Sequence, residues 1–376
     1  MEWQKWTFRF LDTCFFRGST PFNAGEGGYT TVRSVFPPSM TTLQGAIRTS
    51  LALEQGWQPG NDMLWPHELG TPDEPGSLCF KGPYVLWEGK PLFDLPLNVL
   101  SRKTKTAEGT EKIEFATLKP GNIVDCDLGS VCLPDSNTAL HGAKQGDDLF
   151  LTRKGLKYAL EDSLTEHAEK ESDVYVSGKK WHDEFRVGLE REDNKLLAVD
   201  GKLYSLVHIR PKDKLELAVL ISGVPKEWKL TKKRMIAIGG EGRMAEAVLD
   251  DEGFDIIPSA VKFEPDIDGK LYFTVSLITP GYYKDPSVVI MNGPPGVPGK
   301  CVSACVGKIV QTGGWDLARN EPRALIPLLP KGSIWFYEAD KTNQDVLSEL
   351  HGKCLGEKSE YGFGQIAIGK WDRQSL

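Results

Sequence analysis

Hydrophobic and polar positions change rhythm along the chain in a way that predicts many strands and few helices. Residues 7–18, TFRFLDTCFFRG, mix β-branched and aromatic side chains without proline and predict an opening strand. Residues 18–38 are rich in Gly, Ser, Thr and Pro and predict a loop ending at Pro37 and Pro38. The period then shifts to that of a helix. In SMTTLQGAIRTSLALEQG, Leu43, Ala46, Ile47, Ser50 and Leu51 form an apolar stripe, Thr41 and Gln44 make a capping-box pattern, and Gly56 suits the C-terminal cap. Gln44 and Arg48, four apart, share a second face of that helix.

Strand-like pieces follow at residues 78–100, and then the character changes. Residues 101–185 carry polar stretches such as SRKTKTAEGTEKIE and one short helical pattern, LTRKGLKYALEDS, and are expected to form an insertion rather than core. Strand signals return at EFRVGLERE and GKLYSLVHIRP, separated by a turn around Asp193 and Asn194. Further strands are expected at 215–224, 271–281, 302–315 and 333–339, then a short helix at NQDVLSELHG and a closing strand in EYGFGQIAIGKW. Strands and helices alternate loosely in both halves, which favours an α+β fold over a doubly wound sheet. A strand–helix–strand opening in each half suits two ferredoxin-like (RRM-like) units. The expected division is an N-terminal domain over 1–210, including the insertion at about 101–185, and a C-terminal domain over 211–376.

Composition narrows the function classes. Of 376 residues, 40% are hydrophobic and 26% charged, ordinary values for a globular protein with a core. No apolar run reaches the roughly 18 residues of a membrane helix. The opening MEWQKWTFRFLDT lacks the apolar region of a signal peptide, so a cytoplasmic protein is expected. Seven scattered cysteines without a CxxC pair exclude a zinc ribbon or thioredoxin motif; Cys301 and Cys305 are expected to be buried free thiols. A net charge of −7 argues against bulk affinity for nucleic acid, yet one basic groove can coexist with acidic outer faces.

Two glycine-rich turns draw attention. Gly239, Gly240 and Gly242 with Arg243 lack the GxxxxGK[ST] of a P-loop, and Glu241 stands where a Rossmann pyrophosphate would lie. The second, Gly362-x-Gly364-x4-Gly369, places Tyr361 and Phe363 beside glycines whose backbone could approach a phosphate closely. Basic runs occur at Lys226, Lys229, Lys232, Lys233 and Arg234, and at Arg102, Lys103 and Lys105. Runs of this kind are commonly solvated surface.

Four segments together carry a family resemblance: FPPSMTTLQGAIRTSL (36–51), RVGLERE with GKLYSLVHIR (186–210), IGGEGRMAE (238–246), and GGWDLARNEPRALIPLLPKGSIWFYE (313–338) with the closing SEYGFGQIAIG. In order and spacing the chain resembles the RAMP superfamily of CRISPR proteins, and within it the handle-binding subunit of the type III-B (Cmr) effector complex. Residues 101–185 are the part without a match. The resemblance implies a non-catalytic subunit that binds the 5′ handle of the crRNA and docks the large palm-domain subunit onto the backbone RAMP filament, with target RNA nearby. It implies RNA contacts from Gln44, Arg48, Arg186, Arg191, Gly239, Gly240, Gly242, Arg243, Tyr361, Gly362, Phe363 and Gly364, and neither cofactor nor metal. A hairpin or thumb from the insertion would reach between guide and target.

Two other readings remain. Some superfamily members cut RNA with a histidine-centred acid–base arrangement. Here His67, His141, His167, His182, His208 and His351 show no HxxxH spacing, and none precedes the first helix. HGAKQGDD, with His141, Asp147 and Asp148, is the nearest polar cluster, and Gly146-Asp147-Asp148 lacks the apolar hairpin of a cyclase palm. A repeat-RNA endoribonuclease is therefore the second reading. A nucleotide-binding α+β metabolic enzyme is the third.

Overall fold

The computed structural model describes residues 2–18, 31–105, 109, 111–127, 129–136, 141–192, 197–250, 255–316 and 318–373; at 111, 190–191 and 198–203 it describes backbone alone. The turn read at Asp193 and Asn194, and most of the loop read at 18–38, lie outside those residues. The chain forms two compact units, each drawn from three segments: 1–89, 179–254 and 311–326 in the first, and 90–178, 255–310 and 327–376 in the second. A cut at residue 210 does not follow them.

The first unit is built on antiparallel strands that run side by side in the order Cys79–Trp87, Leu215–Ser222, Gln4–Phe10, Met244–Asp250 and Lys233–Ala237. The first four have the strand order of a ferredoxin-like sheet. Helix α1, Met40–Glu54, supplies the first crossover, whereas the second crossover carries the strand Lys233–Ala237 in place of a helix. Trp6, Phe8, Leu217, Val219 and Ile221 are fully or almost fully buried along these strands. Helix α1 inserts Leu43, Ile47 and Leu51, each fully buried and each contributing about 1.5–3 kcal/mol by leaving water.

The helix starts two residues earlier than its pattern suggests. Ser39 is the N-cap, and Gln44 donates from Nε2 to the Thr41 carbonyl at 2.9 Å, so the Thr41/Gln44 capping box does not form. Gly56, at φ 89°, does close the helix.

The second unit carries a complete ferredoxin-like set in chain order: Lys270–Leu277, α4 (Pro286–Asn292), Lys300–Cys305, Ile334–Asp340, α5 (Gln344–Leu350) and Ile366–Lys370; α2 (Arg153–Leu160) and α3 (Leu164–Ala168) precede these. The antiparallel strands stand in the order Lys300–Cys305, Ile334–Asp340, Lys270–Leu277, Ile366–Lys370. Phe273 stacks on Tyr337 with centroids 5.1 Å apart, and Trp335 is fully buried. Asp285 caps α4 by accepting from the Ser287 and Val288 amides at 3.0 and 3.3 Å, with Pro286 in the first turn.

The α+β reading with two ferredoxin-like units holds. Residues 101–185 add the hairpins Val99–Lys105/Glu111–Thr117 and Lys119–Cys126/Gly129–Asp135 beyond a ferredoxin-like set. They are also core, contrary to the expectation of a purely peripheral insertion. Ile113, Phe115, Leu149, Leu151, Leu156, Leu160, Leu164 and Val174 are buried, and α2 packs against the strand Ile366–Lys370. Polar spacing hid this because the exposed halves of the hairpins alternate with the buried ones. No helix among the described residues is long and apolar enough to cross a membrane.

Candidate nucleic-acid interface

The long hairpin Trp181–Arg191/Ala198–Pro211 in the first unit sets His182 opposite Arg210, Glu184 opposite His208, Arg186 opposite Leu206 and Gly188 opposite Tyr204. Residues two apart on a strand, and residues directly opposite, share a face. Glu184, Arg186 and Arg210 therefore project from one side of the hairpin. Cys14 and Ile209 exchange amide–carbonyl hydrogen bonds of 2.8 and 2.9 Å, which brings Asp12 to this face. The turn joining Lys233–Ala237 to Met244–Asp250 completes the site. Gly239, at φ 76°, has its α-carbon so close to the Phe15 carbonyl that a side chain there would lie 2.4 Å from that oxygen, and the Gly240 amide donates to the same carbonyl at 2.9 Å.

The result is a cluster of three guanidiniums on two carboxylates. Asp12 pairs with Arg210 at 3.0 Å, Arg243 at 3.2 Å and Arg186 at 3.6 Å. Glu184 pairs with Arg186 at 2.7 Å and also with Arg210. Hydrogen bonding to Arg210 leads the causes that pull the Glu184 carboxyl down to about 2, against a smaller opposing effect of burial. Burial acts to raise Asp12, but the Thr13 amide and Arg210 outweigh it and the group sits below its ordinary value. Beneath the cluster His208 is 1% exposed, meets the Thr13 hydroxyl at 3.1 Å, and is lowered by burial and then by the charges of Arg186 and Arg243. It is a structural, neutral imidazole.

The cluster is open at its rim: side-chain exposure is 47% for Arg210, 33% for Arg186 and 21% for Arg243. Three fixed cations against two anions leave one net positive charge. Guanidinium forks that fit a carboxylate also fit a phosphate, and each carries five N–H donors. A cleft of about 280 Å³ adjoins the cluster, with Arg9, Arg210 and Lys212 balanced by Asp12, Asp213 and Glu246. On the opposite side of the hairpin Phe185 and Val187 stand exposed at 62% and 58%.

The structure thus joins Arg186 to Arg243 and the Gly239–Gly240–Gly242 turn, which lie far apart in sequence. Arg210 and Asp12 were missed, although period-two reading of LVHIRP puts Arg210 on the His208 face. The side chain of Arg191 lies outside the described residues. Arg243 pairs with Asp12, not with its sequence neighbours Glu241 or Glu246.

Other expected contacts are corrected. Gln44 and Arg48 are buried at 7% and 5% exposure. Arg48 donates to Gln44 Oε1 at 2.9 Å and to the Thr71 and Glu74 carbonyls, so its guanidinium faces protein, not phosphate. The 71–74 loop it holds carries Asp73, which pairs with Arg319 at 2.6 Å. Arg319 and Arg323 in turn pair with Asp316 at 3.5 and 2.8 Å. Two of the family-like segments, 36–51 and 313–338, are coupled through this chain of contacts.

The turn at 361–364 is also inward. Tyr361 and Phe363 are each 3% exposed. The Gly362 amide donates to the Ser359 carbonyl at 3.0 Å and the Gly364 amide to the Pro280 carbonyl at 2.8 Å, so both N–H groups are already engaged. Gly364 holds φ 70°, and a β-carbon there would lie 2.1 Å from the Leu355 carbonyl oxygen. Gly364→Ala should therefore lower the stability of the second unit by about 2–3 kcal/mol, read as a shift in urea midpoint. A glycine kept for phosphate access would tolerate alanine.

The basic runs are partly neutralised. Arg234 pairs with Glu54 at 2.7 Å and lies over Trp6, Lys233 pairs with Glu246 at 2.7 Å, and Arg102 pairs with Glu114 at 2.7 Å. Cys301 and Cys305 are free and half-buried, with burial pushing both thiols up to about 12. Among the described residues no group of His, Cys, Asp or Glu is arranged to hold a metal ion.

Among curated proteins, none matches the chain. A chain of the cryo-EM structure of the Type III-B Cmr-beta bound to cognate target RNA superposes with TM-score 0.51 at 13% identity, over 97% of this chain and 99% of that one. A chain of the Type III-B Cmr-beta bound to cognate target RNA and AMPPnP, state 1, gives TM-score 0.46 at 14% identity, over 92% and 88%. The model of the family described as CRISPR-associated protein (Cas_Cmr3) matches residues 6–371, and the chain belongs to that family.

Proposed function

We propose that this chain is a non-catalytic RNA-holding subunit of a type III-B Cmr effector complex. It grips the 5′ handle of the crRNA and docks the large palm-domain subunit onto the backbone RAMP filament, beside the target RNA, in the cytoplasm. The observation that carries the reading is the Arg186/Arg210/Arg243 cluster on a family member's exposed hairpin face. Phosphates displace Asp12 and Glu184 from these guanidiniums, and the exposed edges of single-stranded bases lie within reach of the hairpin. The target RNA bound in the Type III-B Cmr-beta structure that holds the similar chain supports the partner class.

The absence of catalysis is part of the proposal. His167 stacks on Tyr158 and pairs with Glu171 at 2.9 Å, and His351 hydrogen-bonds the Pro258 carbonyl and the Ile368 amide. These are structural uses. His141 and His182 fall in different units.

The test is RNA binding by the reconstituted complex, with and without this chain, on guides with an intact or scrambled handle. The chain should tighten binding of the intact handle alone. Equal binding of both guides would reject handle recognition.

A further inference from the structure

Beyond the arginine cluster, the same face of the hairpin carries an aromatic ring that packing alone does not explain. Tyr204 lies opposite Gly188, and its ring passes so close that a β-carbon at 188 would lie 2.3 Å from Cζ and 2.5 Å from the hydroxyl oxygen. Gly188 is not among the residues with positive φ, so its backbone does not itself demand glycine. The missing side chain serves the ring. One face of Tyr204 is thereby laid across the strand, while the residue remains 50% exposed. Its hydroxyl makes no hydrogen bond to the described residues. Further along this face Leu206 and His208 are buried at 9% and 1%, so Tyr204 is the first aromatic beyond the covered part.

Arg186 stands two residues from Gly188 on that face, about 6.6 Å along the strand. A ring held flat by glycine, open on its outer side, next to a guanidinium whose role is to meet phosphate, has the parts of a single-stranded nucleic-acid platform. Covering a strand glycine with a cross-strand aromatic is a packing device in its own right. That device needs only bulk and leaves the outer ring face without a purpose.

We infer that Tyr204 is the base-stacking platform of this site: an unpaired RNA base stacks on the exposed ring face while a neighbouring phosphate pairs with Arg186. The inference rests on the RNA-binding reading above and deepens it. The ligand chemistry is a single-stranded ribonucleotide segment, with no requirement on which base, because every base has a π-face.

The experiment uses the reconstituted complex and a handle-containing guide with 2-aminopurine substituted in turn at handle positions. Tyr204→Leu covers Gly188 without a π-face, Tyr204→Phe keeps the ring, and Gly188→Ala displaces it without changing any charge. Tyr204→Leu and Gly188→Ala should each weaken guide binding about tenfold, and Tyr204→Phe should bind as the parent does. One 2-aminopurine position should be quenched in the parent and in Tyr204→Phe and brighten in Tyr204→Leu. If Tyr204→Leu binds and quenches like the parent while Arg186→Gln weakens binding, the platform is wrong and the RNA site stands. If neither substitution moves guide binding, the RNA site itself is wrong, and the platform falls with it. Should Gly188→Ala misfold, the Leu and Phe variants decide alone.

Discussion

Arg48→Met should cost the first unit about 3 kcal/mol, because the longer loss is not the charge but the carbonyls it leaves behind. The methionine refills the volume beside Trp65, over whose ring the guanidinium sits at 5.8 Å. It offers no donor to the carbonyls of Thr71 and Glu74 or to Gln44 Oε1. The 71–74 loop then loosens, and with it the hold of Asp73 on Arg319. Urea titration of the chain should show the lower midpoint. Arg243→Gln, which breaks one half-exposed pair with Asp12, should shift stability by no more than about 1 kcal/mol. A reversed order, with Arg48→Met silent in stability and damaging to guide binding, would return Arg48 to the RNA surface.

The second large effect is on binding. Changing Arg186, Arg210 and Arg243 together to glutamine should weaken guide RNA binding about 100-fold, on the order of 1 kcal/mol for each guanidinium lost. The salt slope should become shallower by about 2, since each single-strand phosphate contact contributes about 0.7. Binding measured from 50 to 300 mM salt reads both quantities. An unchanged slope would mean that the three side chains stay on Asp12 and Glu184 and meet no phosphate. The competition between carboxylate and phosphate should not vary from pH 5 to 8. Glu184 is held at about 2, so its pairs are intact throughout that range, and their contribution to stability is lost progressively below the ordinary carboxyl value of 4.5 as the pH falls toward 2.

Much of this architecture was legible from pattern. The stripe Leu43/Ile47/Leu51 is buried as its spacing implies, and the runs at 215–224 and 333–339 became central strands, since both faces of those strands are covered and apolar side chains are continuous along them. Two things resisted. Burial of Arg48 and Gln44 depends on a loop more than twenty residues away, and nothing local distinguishes a guanidinium that faces carbonyls from one that faces water. The arginine cluster depends on register. A tight turn at Asp193 and Asn194 would set Arg186 opposite Gly201, whereas the ladder sets it opposite Leu206, in part through a bulge between Leu189 and Arg191. Only that shift places Arg210 within reach of Glu184. The turn at Gly362 and Gly364 misled for a different reason: glycines demanded by positive φ in a packed core look identical, in sequence, to glycines that admit a ligand.

The three-segment make-up of each unit has a consequence for biosynthesis. The chain passes from one unit to the other at residues 89, 178, 254, 310 and 326, so no contiguous stretch encodes either unit whole. The first cannot close until residues 311–326 have been translated, and the second lacks its edge strand until Ile366–Lys370 emerges. Long-range pairings of this kind delay folding and leave unpaired strand edges waiting. A gene split at residue 178, 254 or 310 would therefore yield two fragments that each carry parts of both units, and neither fragment would hold either unit whole.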